Sequence, residues 1–279
     1  MFIRTPSRRQ IVGGLAAAVL GGKLATASSA RRAVVAIRLA TADSKDFLLA
    51  QSPIAVTSAK SRINFGLHPS LSEARRMFDS GALAVLVEPG EGDTDRDFVA
   101  GGYSAPGWMM RAVGADVLHS EGKAFGLSSG LLLLTANGMV GRESRIPVAF
   151  PNTHIGRQLR QAAGLIAGGT GPVQLFVASM GGAVLAGDRE AQTAGQLAQL
   201  TAAMMAFQRA MEETRLASDV VAYTDPDKAG AGRVRLVAGG SVIGGEVYTM
   251  KRQQSDAALA AWAGFGGGDG LAEGSRFIY

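Results

Sequence analysis

Short apolar runs of strand length alternate with stretches of helical period, and this alternation confines the chain to the α/β class. The runs lie at residues 33–37, 83–87, 173–177 and 220–223. Between them, Leu71, Ala74 and Phe78 share one helical face, and residues 158–166 repeat the helical pattern. Leu197, Leu200, Met204, Phe207 and Met211 recur at steps of three and four over a segment from about 191 to 213, which reads as a core helix. Strand, helix and strand over residues 33–87 suggest a parallel α/β unit. Residues 234–237 and 242–247 read as a hairpin turning near Gly239-Gly240. Residues 131–134 read as a further strand, 41–65 as polar with little period, and 89–108 as loop. The expected architecture is three-layer α/β/α with a largely parallel or mixed central sheet.

The first thirty residues carry an address. Ser7-Arg8-Arg9-Gln10-Ile11-Val12 sets paired arginines ahead of a mild apolar run ending at Gly22, the layout of a twin-arginine export signal. Ala25-Thr26-Ala27 and Ser28-Ser29-Ala30 offer small residues to a signal peptidase. The run is too short and too rich in Gly and Ala to span a bilayer core of about 30 Å. The expected organisation is a signal peptide over 1–30, one α/β domain over 31–264 and a mobile C-terminal tail over 265–279. The expected location is periplasmic or secreted, with no stable membrane span in the mature chain.

Charge excludes a further class. The chain holds 28 basic and 23 acidic residues, a formal +5. Four of the basic residues lie in the first thirty, so cleavage after Ala30 leaves a net +1. A nearly neutral body carries no field suited to nucleic acid. There is no Cys, hence no disulfide or thiolate ligand, and the only histidines are His68, His119 and His154. Gly168-Gly169-Thr170-Gly171 lacks the Lys and hydroxyl that a phosphate-cradling loop requires.

Several segments, in order along the chain, resemble the DUF1501 proteins, an exported bacterial family related to the alkaline phosphatase and sulfatase superfamily. They are the twin-arginine start, Gly66-Leu67-His68-Pro69-Ser70-Leu71, Gly81-Ala82-Leu83-Ala84-Val85 and Gly107-Trp108-Met109-Met110-Arg111. Phe150-Pro151-Asn152-Thr153-His154-Ile155-Gly156-Arg157-Gln158-Leu159 is the strongest, followed by Val177-Ala178-Ser179-Met180-Gly181-Gly182. The stretch from Val237 to Gly245 with Val247-Tyr248 completes the set. The resemblance implies a trimmed alkaline phosphatase-like fold.

The metal-binding signatures that the resemblance leads one to expect are altered. Where the family reads Phe-Asp-Thr-His, this chain reads Ala183-Val184-Leu185-Ala186. Thr-Asp-His-Gly corresponds to Asp227-Lys228-Ala229-Gly230, and Ser-Arg-Ser-His-Phe to Thr94-Asp95-Arg96-Asp97-Phe98. A Gly-Gly-x-Asp-Gly loop corresponds to Ala40-Thr41-Ala42-Asp43-Ser44. Apolar side chains offer no donor to a metal, and a two-metal hydrolase needs carboxylates and imidazoles converging on ions about 4 Å apart.

Asp43, Asp97, Asp225 and Asp227 are the residual metal-ligand candidates, with Thr94, Asp95 and Asp188 as further polar groups near strand ends. Each reads more simply as a solvated loop side chain, and Asp225-Pro226-Asp227 as a turn. Asp188 would cap the long helix, His154 reads as a hydrogen-bonded structural histidine, and His68 as a residue at a helix start. The expected function is therefore an exported, non-catalytic binding or assembly protein without a cofactor, using a protein partner or self-assembly. The alternative is a metal-dependent phosphate or sulfate ester hydrolase with a remodelled site.

Overall fold

An eight-stranded mixed sheet organises the computed structural model, its strands lying in the order β10 (Val247–Thr249), β4 (Leu83–Glu88), β9 (Arg233–Gly239), β8 (Val220–Pro226), β1 (Arg32–Leu39), β7 (Val173–Met180), β6 (Leu132–Leu134) and β5 (Ala124–Gly126). The structure describes residues 32–39, 54–57, 64–88, 108–109, 124–134, 141–169, 173–180, 189–226, 233–264 and 277–278. All belong to one unit, Arg31–Tyr279. At the centre lie β1 (Arg32–Leu39), β7 (Val173–Met180) and β8 (Val220–Pro226), with β1 parallel to both neighbours. Both sheet faces are covered here, which is why these strands read as continuous apolar runs rather than alternating ones. β4 (Leu83–Glu88) pairs antiparallel with β9 (Arg233–Gly239) and parallel with β10 (Val247–Thr249). β5 (Ala124–Gly126) and β6 (Leu132–Leu134) extend the other side.

Helices cover both faces. α1 (Ser72–Asp79), α2 (His154–Gly168) and α3 (Arg189–Glu213) share a core with Val35, Ile37, Val85, Phe176 and Leu236. The predicted stripe on α3 is buried at all five positions. Each such apolar side chain contributes about 1.5–3 kcal/mol relative to an exposed one. On the opposite face, α4 (Arg252–Trp262) packs Ala258, Leu259 and Trp262 among Ala36, Leu86, Val221, Tyr223 and Val237, with Trp108 and Met109. The result is a mixed α/β fold in three layers, and among the described residues no helix is long and apolar enough to cross a membrane.

Two pairings differ from the sequence expectation. β1 and β4 point the same way but are not neighbours, because β9 and β8 lie between them. β9 and β10 do not form a hairpin, because β4 separates them and pairs with each. The chain leaving β9 instead folds across the start of β4: the Gly239 N–H donates to the Ala82 carbonyl at 3.3 Å and the Gly245 N–H to that of Leu83 at 2.8 Å. Gly244 lies so close to the Gly81 carbonyl that a Cβ would not fit. Within 41–65, where no period was visible, β2 (Ile54–Thr57) begins an antiparallel pair with β3 (Asn64–Leu67). Within the tail expected over 265–279, Phe277 is buried and Ile278 bridges to Val242.

Candidate functional site: a buried guanidinium and its carboxylates

Side chains alternate across a strand, so the positions two and four residues after Val34, Ala84 and Val221 share one face of the sheet. That parity carries Arg38, Glu88 and Asp225 to the carboxyl ends of β1, β4 and β8 on the face covered by α4. On β9, Arg235 shares the face of Val237. Register brings these residues together: Arg38 is the cross-strand partner of Asp225, and Arg235 that of Leu86, two residues before Glu88. The β8–β9 ladder ends at Tyr223 and Val237. Beyond it, the Thr224 hydroxyl accepts the Leu236 N–H at 2.9 Å, and the Asp225–Arg235 side-chain contact spans the two strands.

Arg235 is fully buried and holds three carboxylates. Its Nη2 lies 3.0 Å from Asp225 Oδ1, and its Nη1 lies 2.6 Å from Asp256 Oδ1 and 3.3 Å from Glu88 Oε1. Nη1 also donates to the Ser255 hydroxyl at 3.1 Å, and Ser255 donates to Glu88 Oε1 at 2.6 Å. The first two turns of α4 supply Ser255 and Asp256, so the cluster ties that helix to three strands. Arg252 adds positive charge, 3.7 Å from Asp225 and 3.5 Å from Asp256. The guanidinium also lies 5.5 Å from the Tyr223 ring centroid, a cation–π distance.

Burial dominates the electrostatics. It pushes the Glu88 carboxyl above its ordinary value, against the pull of Arg235 and the Ser255 hydrogen bond. Burial alone would lower the Arg235 pKa, but Asp256, Asp225 and Glu88 together hold it well above its usual value. Tyr223 is raised by burial first and by Asp225 and Asp256 next. Glu88 Oε2, Asp225 Oδ2 and Arg235 Nε have no hydrogen-bond partner among the described residues.

Of the sequence candidates, Asp225 alone falls within the described residues. It is neither solvated nor in a turn: it ends β8, fully buried, with Arg235 as its counter-charge. Asp43, Asp97 and Asp227 lie outside the described residues, as do Thr94, Asp95, Asp188, Ala183–Ala186, Lys228 and Ala229. His154 is the exposed first residue of α2. His68 does begin a helical turn, its Nδ1 accepting the Ser70 N–H at 3.1 Å. Glu88, Arg235, Ser255 and Asp256 were not singled out in the sequence. The available signal was a charge inside an apolar run, Val234-Arg235-Leu236, with an acid ending the run at 83–87. Among the described residues, no group of three or more metal-ligating side chains is arranged to hold an ion. The three carboxylates that do gather here are directed at a guanidinium.

The segments carrying the family resemblance have structural duties. Thr153 Oγ1 accepts the Gly156 N–H at 3.1 Å and caps α2. A Cβ on Gly156 would run into the Pro151 carbonyl. The buried Gln158 donates to the Ser179 carbonyl at 2.9 Å and accepts the Ser179 N–H at 2.8 Å, joining two of the segments that carry the resemblance. No family model, curated protein or solved structure matches the chain.

Proposed function

We propose that this chain is an exported, non-catalytic binding or assembly protein built on a trimmed alkaline phosphatase-like scaffold, a shortened relative of the DUF1501 proteins. The observation that carries the reading is Arg235. It lies at the carboxyl edge of the sheet, where α/β proteins usually place chemistry, and its fixed positive charge engages Glu88, Asp225 and Asp256. A carboxylate held this way has little negative potential left to offer a divalent ion. Full burial also keeps Arg235 from a substrate. The altered signatures at 183–186 and 227–230 support the same reading. So do the structural duties of Thr153, Gly156 and Gln158. The paired arginines at Arg8-Arg9 support export by the twin-arginine route to the periplasm or beyond.

Metal analysis of the purified protein, combined with a screen of phosphate and sulfate esters, tests this function. The expected result is no stoichiometric divalent ion and no turnover above background. Hydrolysis that a chelator abolishes would replace this reading with that of a remodelled metal hydrolase.

A further inference from the structure

A second group of arginines lies on the other side of the sheet. Arg157 and Arg160 are exposed on the early turns of α2. The segment over 141–145 lies along the later turns of the same helix. The Ser144 N–H donates to the Gly164 carbonyl at 2.9 Å, and Cβ atoms on Gly164 and Gly168 would collide with Glu143 and with the Arg142 carbonyl. The two missing side chains let this strap lie flat on the helix, and they place the exposed Arg142 and Arg145 beside the later turns of α2. Four exposed arginines are thereby set along a helix of fifteen residues, about 22 Å long, as a basic strip.

None of the four forms an ion pair with a described residue; Arg157 has a neutral hydrogen bond to Asn152 at 3.2 Å. The strap's one acid, Glu143, leaves the strip strongly positive. Helix α1 differs: there Arg75 pairs with Asp79 and Arg76 with Glu73.

We propose that the α2 strip is a docking surface for an acidic polypeptide segment of a partner protein. Arginine forks match carboxylates in bidentate geometry, and a row of them suits an extended acidic chain. A bilayer surface is disfavoured because the larger neighbouring apolar side chains pack inward. Ile146 is buried, and Val148 and Phe150 pack against the core, so among the described residues of this segment only the small Pro147 and Ala149 are exposed apolar groups, too little to insert among lipid tails. The strip lies on the sheet face opposite Arg235, so this proposal stands whether or not the scaffold catalyses a reaction.

The test measures binding of fluorescent poly-glutamate to the full chain by anisotropy, with anionic phospholipid vesicles and duplex DNA as competing probes. Poly-glutamate is expected to bind at low salt and be released at high salt. Arg157→Ala/Arg160→Ala should weaken binding about tenfold, Arg142→Ala/Arg145→Ala should do the same, and Arg75→Ala/Arg76→Ala should leave it unchanged. Circular dichroism would show that each variant is folded. Absence of binding at low salt, equal losses in the α1 variant, or preference for vesicles or DNA would each overturn the assignment.

Discussion

Arg235 of β9 and Arg157 of α2 carry the same guanidinium under opposite conditions. Arg235 has no solvent contact and is engaged by three carboxylates from β4, β8 and α4. Arg157 is exposed and has no counter-charge among the described residues. The first has its bonds committed inside the fold, whereas the second keeps its donors available to an outside group. Burial therefore decides which arginine holds the structure and which can recognise something else. A buried ion group is costly to break because the remaining charges are stranded away from water, whereas an exposed one is close to neutral for stability.

The contrast predicts a graded series. The largest loss belongs to Arg235→Met, which strands Asp225 and Glu88 and should cost about 3–5 kcal/mol in denaturant unfolding. A loss no larger than that of a surface variant would remove the distinction between the two regions. Gln158→Ala should come next, at about 2 kcal/mol, because it leaves the Ser179 N–H and carbonyl without their partner.

Glu88→Gln sharpens the comparison through pH. Burial favours the neutral carboxyl, so the folded chain keeps this proton to higher pH than the unfolded chain. The stabilisation is complete below the ordinary value of 4.5 and is lost as pH climbs through the raised folded value. Thermal midpoints of parent and Glu88→Gln proteins, measured across pH, should show the parent's relative stability falling from below 4.5 toward neutrality. A flat or rising difference would contradict this assignment. The smallest effect belongs to Arg157→Ala and Arg160→Ala, each expected within about 0.5 kcal/mol of the parent by denaturant unfolding.

Local pattern carried the elements further than it carried their pairing. The α3 stripe and the central strands were legible because burial on one or both faces leaves a periodic or continuous apolar signal. The position of β4 between β9 and β10 was not, since Gly239-Gly240 looks like a hairpin turn whichever strand comes next. The buried cluster was legible only at Asp225, and there as a candidate metal ligand or loop side chain. Its other members come from residues 88, 235, 255 and 256, and nothing local shows that register and helix packing will bring them to one point. Arg235 sits in a run whose alternation also fits a half-exposed strand. Only the tertiary covering by α4 turns that alternation into burial.

Gln158 has one more consequence. Beyond the stretch where β6 pairs with it, β7 continues to Met180, and among the described residues no strand pairs with Ser179 on that side. The amide of Gln158 fills that berth with the donor and acceptor a neighbouring backbone would have supplied. At this point a side chain reaching across from a helix satisfies strand backbone in the way a neighbouring strand does elsewhere in the sheet.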